Sequence, residues 1–217
     1  MNMPALASVI FDLDGTLVDS TRDIVVAFNH GLVSVGEETM SEAAVRPLIG
    51  TPLVDMYERV LGGHDGARTA RACEAYRRFY FDHCADHTRP FPGVLEALDA
   101  LAGSPLAVAT TKKTFMAVKL LDMLGLSGRF DLIQGTDDIP AKPDPAVLLQ
   151  VVEKLGIEPT NTWMIGDTVH DLSAARAAGM KCCAVTYGVT EETALRRLKP
   201  DIVVDNLLVF STQMRHL

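Results

Sequence analysis

Apolar positions in this chain follow two rhythms, with a change of pattern near residue 93. Residues 7–11 are a short apolar, β-branched run, which predicts a buried strand. Over residues 21–35, Ile24, Val25, Phe28 and Leu32 recur at helical spacing and Gly36 ends the segment. Further helices are predicted over 41–48, over 52–61 with Pro52 at its start, and from 67 to about 84. Between Asp19 and Thr88 no segment reads convincingly as a strand. Arg89-Pro90-Phe91-Pro92-Gly93 closes this region as a stiff, turn-rich hinge.

From residue 94 the chain alternates. A helix over 94–101 leads into a strand at 106–109, which ends in Thr110-Thr111-Lys112. A second helix reaches Leu124-Gly125, and a weak strand at 131–134 precedes the loop 136–142. Pro143 and Pro145 open the next helix, which ends near Gly156. Trp163-Met164-Ile165 is a buried strand running into Gly166-Asp167-Thr168-Val169-His170-Asp171. The following helix stops at Gly179, and 182–185 and 202–204 supply the last strands. This alternation predicts an α/β fold, a doubly wound, Rossmann-like parallel sheet. Residues 1–18 and 90–217 are expected to form the α/β core, and 19–89 an inserted, all-helical cap. The two crossings near 18 and 90 make a natural hinge.

Composition narrows the partners. With 217 residues and 48% hydrophobic content, the chain can bury a core for one large domain or one and a half. Its 28 acidic and 20 basic residues give a net charge of −8, which argues against nucleic acid or an anionic membrane as a main partner. A phosphate substrate stays open, because a metal and a few well-placed cations decide that locally. The first ten residues carry no Lys or Arg, so no signal-peptide n-region is expected, and no apolar run approaches the ~20 residues of a membrane span. Cys73, Cys84, Cys182 and Cys183 show no paired spacing; Cys182 and Cys183 should point to opposite faces of one strand. A reducing cytoplasm fits, with the chain acting as a monomer or homodimer.

The candidate chemistry lies at strand ends. Asp12 and Asp14 follow the first strand and would repel each other without a shared cation, for which Mg²⁺ is the usual answer. Gly15 makes the turn, and Thr16 and Ser20 offer hydroxyls that can cap or bind an anion. Thr110 ends the strand after the insert, and Lys142 precedes Pro143-Asp144-Pro145. Asp167 and Asp171 straddle a helix start, where Asp also serves as an ordinary N-cap. Taken singly, each has a bland explanation. In a parallel sheet, however, all these ends share one edge, so the six can converge on one pocket with carboxylates for a hard cation and polar groups for phosphate oxygens. That is a phosphoryl-transfer constellation.

In this order, Asp12-Leu13-Asp14-Gly15-Thr16, Thr110, Lys142 and the Gly166-to-Asp171 motif resemble the haloacid dehalogenase-like superfamily in its phosphatase branch. The stretch from Asp12 to Ile24, Arg89-Pro90-Phe91-Pro92-Gly93-Val94 and the Lys142-Pro143-Asp144-Pro145 turn look like phosphoglycolate phosphatases. Departures are Thr111, where that group often carries Asn, and a short loop between Gly135 and Lys142. The resemblance implies Asp12 as nucleophile, forming an aspartyl-phosphate, and Asp14 as acid and then base. It implies Mg²⁺ held by Asp12, the backbone carbonyl of Asp14, and Asp167, with Asp171 in or just behind that shell. Thr110, Thr111, Lys142 and Gly15 form the implied phosphate-binding set, and Lys142 should also hold Asp12 ionised.

Within the family, Asp14 argues against dehalogenation, and the absence of lysine from Val18 to Pro90 excludes a Schiff-base phosphonate cleavage. A phosphomutase uses the same two aspartates. Seven arginines (Arg22, Arg46, Arg59, Arg68, Arg71, Arg77 and Arg78) lie in the insert, most of them reading as a solvated helix face, of which one or two could meet a substrate carboxylate or second phosphate. The loop containing Arg46, Gly50 and Thr51 is the best candidate for reading the substrate. The expected substrate is a small phosphorylated metabolite, 2-phosphoglycolate first; a sugar phosphate, nucleotide monophosphate or pyrophosphate would use the same core. His83-Cys84-x-x-His87 lacks a second ligand pair for zinc. A receiver-type phospho-acceptor domain would be shorter and lack the insert, and a calcium loop would need its glycine two residues later.

Overall fold

The computed structural model describes residues 7–63 and 65–214. The chain opens with β1 (Ser8–Phe11) and the short β2 (Val18–Asp19), then enters four helices, α1 (Thr21–Ser34), α2 (Glu42–Val45), α3 (Leu53–Leu61) and α4 (Gly66–His83). It returns through β3 (Arg89–Pro90) to α5 (Val94–Ala100), β4 (Leu106–Thr110), α6 (Thr114–Met123) and β5 (Leu132–Gly135). The remainder runs α7 (Ala146–Leu155), β6 (Thr162–Gly166), α8 (Val169–Ala177), β7 (Lys181–Val185), α9 (Glu192–Arg197), β8 (Ile202–Val204) and α10 (Leu207–Met214). Every strand of the expected sheet forms within two residues of its predicted ends.

Six parallel strands make that sheet, in the order β5-β4-β1-β6-β7-β8. The order reverses at β1: the chain builds outward to β4 and β5 on one side and to β6, β7 and β8 on the other. A crevice opens at such a reversal, at the carboxyl ends of the strands. Strand side chains alternate between faces. Val9 and Phe11 therefore join one apolar cluster, and Ile10 joins a second with Val147, Met164 and Leu172. Cys183 and Cys182 divide between the same two clusters, as their adjacency requires, and all four cysteines are free and buried.

The helical insert packs on itself through α1, α3 and α4. Phe28 stacks on Tyr57 at 4.4 Å between ring centroids, and the Tyr57 hydroxyl donates to the Phe28 carbonyl at 2.9 Å. Gly31 permits this approach, since a Cβ there would stand 1.9 Å from the Tyr57 hydroxyl.

Three features escape the apolar pattern. β2 and β3 pair antiparallel, Val18 with Pro90 and Asp19 with Arg89, so the two crossings into the insert form a ribbon. The helices α9 and α10 follow no clear apolar period in the sequence; Leu207, Phe210 and Ser211 mark the buried face of α10. Asp23 near the start of α1 accepts bonds from the backbone N–H groups of His87 (2.9 Å) and Thr88 (2.8 Å), from the Thr88 hydroxyl (2.7 Å) and from His87 Nδ1 (2.8 Å). It thus staples the outgoing crossing to the returning one. Among the described residues no helix is long and apolar enough to cross a membrane.

Candidate active site

The parallel register sets the site. Phe11 lies beside Val108 and Ile165, so the residues just past each strand emerge together. Asp12, Asp167 and Asp171 converge: one carboxylate oxygen from each lies within 4.8 Å of the others, and all three are buried. Lys142 closes the group, its Nζ 2.6 Å from Asp12, 2.6 Å from Asp171 and 2.9 Å from the Ala109 carbonyl. Burial alone would lower the Lys142 pKa, but the two carboxylates raise it, so the ammonium stays charged. Burial raises the Asp12 pKa well above the usual range, and Asp171 and Asp167 add to this while Lys142 opposes it. Asp167 is pushed up to about 7, by burial first and by Asp171 second. Three buried carboxylates against one ammonium leave an excess negative charge that a divalent cation would neutralise, so the donor set fits Mg²⁺.

The surrounding groups aim these side chains. Thr16 Oγ1 donates to Asp167 at 2.9 Å, and the Val189 N–H donates to the other oxygen at 2.8 Å. Thr168, not either aspartate, is the N-cap of α8; it exchanges hydrogen bonds with Asp171 at the third helical position, whose other carboxylate oxygen meets Lys142. Ser20 holds the N-cap position of α1 without a side-chain capping bond and instead donates to Asp14 at 2.5 Å. Gly15 (φ +92°) and Gly188 each lie where a Cβ would strike Asp167 Oδ2, at 2.3 and 2.2 Å.

Asp14 lives in different surroundings. Its carboxylate takes bonds from Ser20 and, at 2.7 Å, from Lys112, whose ammonium lies 4.7 Å from the centroid of the Tyr80 ring. Asp14 also borders a chamber of about 260 Å³ between insert and core, lined in part by Gly50, Thr51, Tyr76, Arg77 and Thr111. Gly50 (φ +95°) reaches the core itself, because a Cβ there would lie 2.9 Å from Thr168 Cγ2.

The structure thus brings together Asp12, Lys142, Asp167 and Asp171, with Thr110 buried at the end of β4, one residue past the Ala109 carbonyl that Lys142 meets. Thr111, Gly50 and Thr51 line the chamber. Arg46 does not; its guanidinium donates to the Gly188 carbonyl at 2.9 Å. His83, Cys84 and His87 turn to separate partners, Asp86, Met123 and Asp23. Lys112, Gly188 and Val189 are the residues that sequence reasoning left out. Lys112 carried a signal, standing two positions after the strand-end Thr110.

The haloacid dehalogenase-like hydrolase family model matches residues 9–185. The chain belongs to this family. Phosphoglycolate phosphatase 1 of Pseudomonas aeruginosa is 38% identical over 92% of this chain and 76% of its own length. The phosphoglycolate phosphatase of Chromobacterium violaceum is 36% identical over 90% of this chain and 91% of its own. Among solved structures, a haloacid dehalogenase-like family hydrolase from Streptococcus pneumoniae superposes with a TM-score of 0.86 at 28% identity, covering 97% of this chain and 99% of that one. The family expected from the strand-end motifs, the parallel α/β fold and the likeness to phosphoglycolate phosphatases are all borne out.

Proposed function

We propose that this haloacid dehalogenase-like hydrolase cleaves phosphomonoesters of small carboxylates, the class to which 2-phosphoglycolate belongs, through an aspartyl-phosphate on Asp12. The observation that carries the reading is the unequal setting of two neighbouring carboxylates. Asp12 sits among Lys142, Asp167 and Asp171, where phosphoryl charge can be neutralised. Asp14 borders the chamber, where a leaving alcohol would lie. One carboxylate is set for phosphorus and the other for the departing oxygen.

In the first half-reaction an Asp12 oxygen attacks phosphorus, the bond to the leaving oxygen breaks, and Asp14 gives that oxygen a proton. In the second, Asp14 takes a proton from water, the water oxygen attacks the phosphorus of the aspartyl-phosphate, and Asp12 is restored as phosphate departs. Lys142 and Thr110 hold the transferring phosphoryl oxygens. Mg²⁺, held by Asp12, Asp167 and the backbone carbonyl of Asp14 with Asp171 beside them, would neutralise phosphoryl charge. The helical insert over 19–89 acts as a lid that excludes water from the phosphoryl site, and the Gly50-Thr51 loop meets the leaving group.

The relatives named phosphoglycolate phosphatase support a carboxylate-bearing substrate. The test is Mg²⁺-dependent phosphate release from 2-phosphoglycolate, a hexose phosphate, a nucleotide monophosphate and pyrophosphate. Preference for 2-phosphoglycolate is expected. A clear preference for pyrophosphate or hexose phosphate, with phosphoglycolate inert, would overturn this substrate class.

A further inference from the structure

The chamber is larger and more apolar than glycolate requires. Its volume of about 260 Å³ would hold roughly nine water molecules at liquid density, whereas the two-carbon glycolate needs only a small part of that. Ile49, Leu53 and Met56 from the insert and Met116 from the core form an apolar wall. A wholly polar, two-carbon leaving group would leave that wall against water.

The cations lining the chamber differ in what they already hold. Lys112 is paired with Asp14, and Lys113 donates to the Asp137 carbonyl. Arg77, half-buried on α4 next to Tyr76, has no carboxylate partner and no hydrogen bond among the described residues. Two other insert arginines are spoken for, Arg68 by Glu37 and Arg78 by Glu74. Arg46 is bonded to Gly188, and Arg22, Arg59 and Arg71 are exposed. Arg77 is thus the insert guanidinium that reaches the chamber with its donors uncommitted, and such a fork matches a carboxylate.

We infer that the chamber selects phosphate esters of apolar hydroxy acids: Arg77 pairs with the carboxylate of the leaving group, and the wall of Ile49, Leu53, Met56 and Met116 packs on an apolar substituent that glycolate lacks. This rests on the phosphomonoesterase reading above and sharpens its substrate class. Phosphoglycolate then satisfies Arg77 but leaves the apolar half unfilled.

Four esters test it with the intact protein and Mg²⁺: the phosphates of glycolate, lactate and leucate (the hydroxy acid with the leucine side chain), and isoamyl phosphate, which is the leucate ester without its carboxylate. Values of kcat/KM should rise from glycolate through lactate to leucate, by about tenfold or more overall. Arg77→Gln should cut the ratio of kcat/KM for the leucate ester to that for isoamyl phosphate about a hundredfold, with Arg77→Lys recovering part of it. A general structural defect would lower both esters together and leave the ratio intact. The inference is overturned if kcat/KM falls as the branch is added, or if the ratio is indifferent to Arg77; hydrolysis itself then still stands. If none of the four is hydrolysed, the carboxylate-ester reading above fails and takes this inference with it.

Discussion

Lys112 donates to the carboxylate of Asp14 across 2.7 Å. Lys112 follows β4 in the core, yet its ammonium rests over Tyr80 of the insert, so the carboxylate proposed as acid and base is tied to both parts of the molecule. Ser20 completes the clamp from the outgoing crossing. Replacing Lys112 by Gln frees one side of Asp14 without touching Asp12, Asp167 or Asp171. Steady-state kinetics should show kcat reduced about tenfold to a hundredfold, while Mg²⁺ affinity measured by calorimetry stays at the wild-type value.

Asp23 should matter to stability with a defined pH signature. Burial by itself would raise its pKa, but the hydrogen bonds from His87 and Thr88 outweigh this and lower it. A carboxyl whose folded pKa is depressed stabilises the protein above its unfolded value of ~3.9, and that contribution disappears as pH falls through the folded value. Asp23→Asn sets an amide against several N–H donors and should cost about 1–3 kcal/mol at neutral pH. Thermal unfolding followed over pH should show the gap from wild type closing in acid, below about pH 4.

The acidic cluster predicts how the metal-free protein responds to Mg²⁺. With Asp167 raised to about 7, the native state keeps a proton that the unfolded chain releases near ~3.9. Metal-free stability should therefore decline as pH climbs between those values, and Mg²⁺ should remove the decline. Binding near pH 6 should expel protons, which titration calorimetry detects as an enthalpy that depends on the buffer's own heat of ionisation. A buffer-independent enthalpy would mean that the cluster is already ionised.

Gly188 offers a purely steric test. An added methyl would stand 2.2 Å from Asp167 Oδ2, whereas one at Gly128 meets nothing within 4 Å. Gly188→Ala should weaken Mg²⁺ binding about tenfold to a hundredfold. Gly128→Ala should bind the metal as wild type does.

These residues also mark how far the sequence could be read. The central strands β1, β4 and β6 are legible because each is buried along its length and so appears as a largely apolar run. The β2–β3 ribbon is not, since two residues per strand carry no period, and α10 begins Leu207-Leu208-Val209-Phe210, which reads as well as a strand. In the site, Asp12, Asp14, Thr110, Lys142, Asp167 and Asp171 are recoverable because parallel strands deliver their ends to one edge. Val189 and Gly188 act through a backbone N–H and a missing Cβ, neither of which a side-chain pattern records. Arg77 and Arg78 are adjacent letters, but about 100° apart around α4. Only the packing of that helix decides which one meets the chamber.

The proposed chemistry turns on Asp12 as the attacking group. The direct measurement is phosphate release by Asp12→Asn beside wild type, with Mg²⁺ binding and thermal unfolding checked on the same samples. A folded, metal-binding Asn variant with turnover lowered about a thousandfold or more is the expected result, since an amide is a poor nucleophile and cannot carry the phosphoryl group. Near-normal phosphatase activity in that variant would contradict the account.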